Sequence, residues 1–462
     1  MKPTFHSLRD APRIFAAPAL VLALAVVLAL GVARAMTGPD PVPPPSAKSV
    51  QLSRDDQLLL YAELSKTLME LKRPEEAETA LQASLALEPT ASGYSELAKA
   101  YQSQGRNDLA VEEYRKALAL REDPQDLADL GYCLLAQGKR KDALTAWDKA
   151  LALEPERLRL WEDAGYAAMV LARNDAAKQY FKAAIDNQPL YPARDEDEAR
   201  RTRETVHRLR QEVTKLDESL SLTAYLTYYT SRAGQSDAPG GQGGIYQPSV
   251  SGVEAAWTPP VIGLRDDRLF QVVARLNWTL ERQSMAFDPD SAQGAVGLRY
   301  KPFKSQNVSF GAERLIKIGK NAEDNWLLRA MGSWADGYGL DPERSNWNFS
   351  YLYLEADRYL ENPARFLFNG EVRQGWSFKV ARNATLTPHL VANARIWTPD
   401  DNRLSLWEAG VGLSFKYRFN ETKYTTPRSY LEVLAQYKAG RLYNRTTDQG
   451  VDGLYLTTIL RY

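Results

Sequence analysis

The sequence predicts two architectures in tandem: a helical solenoid, then an antiparallel β-barrel of about twelve strands of the outer-membrane type. Three observations carry that prediction. From about Arg54 to Pro189 the chain repeats itself, with Ala77, Ala110, Ala143 and Ala177 at steps of 33, 33 and 34 residues. From Ser219 onward the hydrophobic period drops to two. The first 35 residues have the makeup of an export signal.

The N-terminal segment comes first. Lys2, Arg9 and Arg13 give a positive start, "IFAAPALVLALAVVLALGVA" an apolar run, and Ala33-Arg34-Ala35 a small-x-small cleavage pattern. A run of about twenty apolar residues is also long enough to span a bilayer, so residues 1–35 read as a signal peptide or a retained anchor. Either reading places the remainder outside the cytoplasm. Residues 36–53, containing "GPDPVPPPSAKS", read as an extended spacer.

Residues 54–190 hold the repeats. Four positions after each recurring alanine stands a large residue (Leu81, Tyr114, Trp147, Phe181), and three further on a small one (Ser84, Ala117, Ala150, Ala184). Pro89, Pro155 and Pro189 close three units. Small residues let paired helices approach, and large ones fill the gap to the neighbour. The pattern resembles the tetratricopeptide repeat. Such a stack implies a concave groove for a peptide or protein partner, with a plain spacer as the alternative. Residues 191–218 follow with "ARDEDEARRTRETVHRLRQEVTKLD", whose Val206, Leu209, Val213 and Leu216 share one helical stripe. That stripe predicts a capping helix, with His207 off it and solvated. The lone cysteine, Cys133, lies inside a repeat helix and reads as packing.

In residues 219–462 apolar and polar residues alternate, less regularly near Gly252–Trp257, Val308–Leu315 and Trp347–Glu355. Leu220, Leu222, Ala224, Leu226 and Tyr228 oppose Ser221, Thr223 and Thr227. Val411, Leu413, Phe415 and Tyr417 oppose Gly412, Ser414, Lys416 and Arg418. A soluble sandwich turns its apolar side inward, whereas an outer-membrane barrel turns it to lipid. Large charged residues on the polar side (Arg275, Arg299, Arg329, Arg373, Arg395) suit a wet lumen. Eight tryptophans in this half, Trp257, Trp278, Trp326, Trp334, Trp347, Trp376, Trp397 and Trp407, predict an interfacial girdle. The final run places Leu454, Leu456, Leu460 and Tyr462 toward lipid and Tyr455, Thr457 and Arg461 inward. It predicts pairing with the strand near Ser219.

The stretches "GAERLIKIG", "SWADGYGLDP" and "GWSFKVARNATLTPHL" resemble the C-terminal domain of the bacteriophage-adsorption outer-membrane protein NfrA family. The resemblance implies a barrel in the Gram-negative outer membrane with its repeats in the periplasm. It further implies export of an exopolysaccharide alongside an inner-membrane glycosyltransferase, and use as a phage receptor. The terminal aromatic resembles the signal read by the barrel-insertion machinery. The departure is a short repeat region of about four units.

Function is bounded by composition. Lys plus Arg and Asp plus Glu balance at 58 each, which leaves no global field for nucleic acid. Three histidines (His6, His207, His389) give little scope for a metal site, and no cofactor motif is present. Candidate pore-lining residues are Arg275, Arg299, Arg329, Glu371, Arg373, Arg395, Lys416 and Glu432. They offer contacts to a polysaccharide chain, or they pair with one another to fill the barrel. The competing reading is a non-conducting anchor whose repeats recruit periplasmic proteins. An enzyme is not expected: His389 is the barrel's one histidine, and no nucleophile motif accompanies it.

Overall fold

The computed structural model describes residues 52–188, 195–231, 249–280, 286–341, 343–361, 364–398, 405–445 and 448–462. The expected export signal and nearly all of the proline-rich spacer lie outside them. The chain divides between Gln57 and Leu58. Of the first unit, only the start of helix α1 (Arg54–Glu70) is described, where Ser53 Oγ accepts from Asp56 N at 3.1 Å.

Among the described residues the second unit continues with helices α2 (Pro74–Leu87), α3 (Ala91–Ser103), α4 (Asn107–Leu120), α5 (Pro124–Ala136), α6 (Arg140–Leu153), α7 (Leu158–Val170), α8 (Asn174–Asn187) and α9 (Glu196–Asp217). Local signals set their ends. Proline opens α2 and α5, Thr90 caps α3 through Gly93 N, and Asp123 caps α5 through Gln125 N and Asp126 N. Within each pair the large residue fits against a small one. A side-chain carbon on Gly131 would lie 2.1 Å from Trp147 Nε1, so this helix crossing admits glycine alone. Trp147 is wholly buried, donates to Ala128 O at 3.0 Å and meets Tyr132 edge-on. Two buried clusters run through the stack, and Leu209 and Val213 of α9 close the second. Both belong to the apolar stripe, and His207, off it, is half-buried and bonded to Gln211 rather than fully solvated.

The turns inside the pairs share one feature. Lys72, Gly105, Gly138 and Ala172 all have φ between 56° and 76°. Glycine holds this conformation without strain, whereas alanine does not. Ala172→Gly is expected to stabilise the repeats by about 0.5–1 kcal/mol, the relief of strain exceeding the added freedom of the unfolded chain. Urea unfolding followed by helical circular dichroism checks it.

The remainder is one sheet. Its strands are β1 (Leu220–Ser231), β2 (Ser249–Trp257), the two-residue β3 (Leu264–Arg265), β4 (Arg268–Leu280), β5 (Gln293–Lys301), β6 (Val308–Lys317) and β7 (Asn325–Asp336). They continue with β8 (Asn346–Tyr359), β9 (Arg365–Ala381), β10 (Ala384–Thr398), β11 (Ser405–Phe419), β12 (Ser429–Tyr443) and β13 (Asp448–Arg461). Each long strand pairs antiparallel with its neighbours. β2 bonds both β1 and β4, and β13 returns to β1 from Thr223↔Arg461 to Ser231↔Gly453. Among the described residues twelve long strands thus close into a barrel, each bonded on both sides. Among the described residues no helix is long and apolar enough to cross a membrane.

The outside of the barrel is apolar. Leu222, Leu226, Val272, Leu298, Leu328, Val372, Leu390, Val411, Leu413, Leu454 and Leu456 are all exposed, far beyond what a water-facing surface carries. Trp257, Trp334 and Trp376 ring one end, while Trp278, Trp326 and Trp407 ring the other. Two of the expected girdle tryptophans are corrected. Trp347 is buried inside, donating to Gly337 O at 2.8 Å, and Trp397 packs inward on Tyr359. Both share the parity of lumenal residues in their own strands, and parity overrides position near a strand end.

Helix α9 meets the end of the barrel that carries its own C-terminus, here termed the helical end. Arg203 forms a two-pronged pair with Glu343 at 2.8 and 3.0 Å, in the β7–β8 turn. Arg210 donates to Thr422 O and Thr425 O at 2.7 and 2.5 Å, in the β11–β12 turn. Lys215 pairs with Asp267, before β4. Those three turns are spaced four strands apart around the barrel. A straight helix touching three evenly spaced points on a rim must cross the opening. Asn174 to Leu264 O and Tyr424 to Asp186, both 2.9 Å, add contacts from the last repeat.

Candidate functional site in the barrel lumen

Alternation in the strands aims one residue in two at the lumen. There the cations meet carboxylates. On β4, Arg275 reaches across β5 to Glu313 on β6, passing Gly297, where a side-chain carbon would fall 2.6 Å from Glu313 Cγ. Arg299 on β5 grips Glu254 on β2 with both terminal nitrogens at 3.0 Å. Arg329 on β7 is the hub. Its Nε lies 3.1 Å from Asp357 and its Nη1 3.5 Å from Glu313, and Nη2 pairs with Glu355. These partners are nearly inaccessible, so each charge depends on its neighbours rather than on water.

A second set lines the opposite wall. Arg373 and Glu371 of β9 pair at 2.5 Å, and the guanidinium lies over Tyr351. Lys416 pairs with Glu432 at 2.8 Å, while Tyr338 of the β7–β8 turn covers the ammonium at 3.5 Å. Lys438 pairs with Glu408 at 2.6 Å, and Glu408 also accepts from Tyr455 OH at 2.6 Å. Arg395 differs. Its Nε donates to Asn369 at 3.4 Å, and among the described residues it has no ion pair.

All eight sequence-derived candidates therefore face the lumen, and seven of them are engaged in ion pairs. Glu254, Glu313, Glu355, Asp357, Glu408 and Lys438 were missed. Extending the parity of Ser414 and Lys416 back along β11 reaches Glu408, so that signal was present. Tyr338 was beyond reach because it lies in a turn, where alternation carries no information. His389 is buried and spends both nitrogens: Nδ1 lies 3.0 Å from Thr387 O and Nε2 3.0 Å from Gln436. In the repeats, burial pushes the Cys133 thiol up to about 12, which suits a packing role.

Two cavities remain between these clusters. One of about 670 Å³ begins beside Lys215 and Glu218 at the helical end and runs to Arg275, Arg299 and Tyr353. The other, about 390 Å³, lies among Arg373, Arg395, Lys438, Asn393 and Gln436 toward the distal end. Tyr353 lines both.

Comparison with known proteins agrees with this division. The sequence model of the family described as bacteriophage N adsorption protein A, C-terminal part, matches residues 284–456. A tetratricopeptide-repeat model matches residues 63–126 and 129–192. The chain thus joins tetratricopeptide repeats to an outer-membrane barrel, part of which matches that family's C-terminal model. Tetratricopeptide repeats generally mediate protein interactions. A search of curated proteins gave no match. Among solved structures, MamA from Desulfovibrio magneticus is 20% identical, covering 35% of this chain and 84% of that one, with a TM-score of 0.30. PilF of Pseudomonas aeruginosa is 25% identical, covering 36% and 69%, with a TM-score of 0.28.

Proposed function

We propose that the protein is an export conduit for an exopolysaccharide. Its repeats stand in the periplasm, its barrel crosses the outer membrane, and the polymer passes along the lumen. The observation that carries this reading is the pair of polar cavities sharing Tyr353 as a wall. They present amides, carboxylates, guanidinium groups and an aromatic face, the groups that bind and release hydroxylated chains. Arg275, Arg299, Arg329, Glu371, Arg373, Arg395, Lys416 and Glu432 are the lumenal contacts, with Arg395 the least committed to a neighbour. The repeat groove receives a periplasmic protein or an inner-membrane glycosyltransferase, and the distal loops serve a phage as its receptor. The strand ending at Tyr462 engages the insertion machinery. In this reading the chain catalyses nothing, and His389 serves as a hydrogen-bonding wall residue.

A second reading, a silent anchor for the repeats, draws support from the density of lumenal ion pairs and from α9 across the mouth. Planar-bilayer conductance separates the two. The full chain is expected to give small steps, and Arg203→Ala with Arg210→Ala, which frees α9 from two of its three turns, is expected to enlarge them severalfold. The Arg203 pair is surface-exposed and contributes little to stability, so the folded barrel survives its loss. Silence from both proteins favours the anchor and rejects the conduit.

A further inference from the structure

The outer wall carries one feature that neither a conduit nor an anchor requires. Over β6–β10, small outward residues open an apolar slot of about 470 Å³, a volume typical of ligand sites. Its floor includes Gly332, Ala356 and Gly370, and its walls include Trp334, Phe368 and Ile396. These walls are exposed, so the slot opens outward and not into the lumen.

Arg358 stands at its distal lip, two residues beyond Ala356 on the same face of β8. It is an outward-facing cation on a lipid-facing wall, a placement that costs free energy unless the charge reaches the interface or meets an anion. Its guanidinium lies 4.1 Å from the centroid of the Phe366 ring, which holds it against the wall. Among the described residues Arg358 has no carboxylate partner. The nearby outward-facing Arg314 contrasts with it, since that residue is paired with Glu361 at 2.5 Å and stacks on Trp326. The paired arginine needs no further anion, whereas Arg358 retains an open demand beside an acyl-compatible slot.

We infer that this face is a specific site for a lipid with an anionic phosphate headgroup, its acyl chain in the slot and its phosphate on Arg358. The lipid comes from the leaflet at the distal end of the barrel. Charge complementarity selects it over a zwitterionic lipid of the same chain length, and the slot selects it over a free anion.

The test uses the full chain in detergent micelles containing equal fractions of phosphatidic acid and phosphatidylcholine with identical chains. Bound lipid is counted by native mass spectrometry. The wild-type protein is expected to retain phosphatidic acid about fivefold over phosphatidylcholine, the factor one interfacial arginine confers. Arg358→Gln removes that preference and Arg358→Lys keeps most of it. Gly370→Leu, which fills the slot, lowers retention of both lipids. Inorganic phosphate in excess leaves the preference intact. Equal retention by the wild type, a preference that survives Arg358→Gln, or displacement by inorganic phosphate overturns the inference. Unboiled gels report whether each variant is folded. Should Arg358→Gln lack the folded band, the Arg358→Lys and Gly370→Leu arms decide.

Discussion

Arg329→Ala is expected to cost the barrel about 3–5 kcal/mol, the penalty for leaving buried charges without their counter-ion. Among the described residues no other lumenal cation pairs with three carboxylates. Glu313, Glu355 and Asp357 all converge on its guanidinium, each almost fully buried. With the arginine gone, Glu355 and Asp357 lose the ion pairs described for them, and Glu313 keeps Arg275 alone. The temperature at which the fast-migrating folded band disappears from unboiled gels should fall sharply. Arg329→Lys should be intermediate, because an ammonium restores charge but cannot reach three carboxylates in one planar fork. Replacing Arg329 and Glu355 together by methionine should cost less than Arg329→Ala alone, since part of the stranded charge leaves with its partner. Equal losses in all three variants would show that the cluster is solvated and the hub argument wrong.

The second large effect belongs to the repeats. Trp147→Ala is expected to destabilise them by about 3–5 kcal/mol, through the cavity left where a wholly buried indole stood. The ring packs over Gly131, bonds Ala128 O and meets Tyr132, so one substitution strips contacts from both helices of its pair. Repeat stacks are stabilised by nearest-neighbour interfaces, so a weak joint in the middle should split one unfolding transition into two. Urea titration followed by helical circular dichroism reads both the midpoint and the splitting. The barrel's folded band on unboiled gels should not move.

Both sites show how far the sequence was legible. Trp147 was visible at once, because its place in a 33-residue phase fixes what it packs against. The lumenal arginines were visible as a face, since a period of two assigns inside and outside. Their partners were not, for a physical reason. Arg275 meets Glu313 two strands away, and Arg329 meets residues on both neighbouring strands. Such pairings depend on register and strand tilt, which alternation within one strand does not encode. Trp347 and Trp397 differ again: they lie near strand ends, but parity along the strand decides which side they face. The apolar stripe of α9 was legible, while its charged face gave no hint of binding turns as far along the chain as Glu343 and Thr425.

The contact between α9 and those turns also constrains the order of folding. The three turns belong to three separate hairpins; on an open sheet the turn before β4 and the β11–β12 turn lie eight strands apart, and only closure through β1 and β13 brings them to four. On an open sheet the landing points of Arg203, Arg210 and Lys215 do not exist together. Loop closure over such distances is slow relative to helix formation. The repeats can therefore mature early and wait, and their seating on the mouth marks the moment at which the barrel is complete.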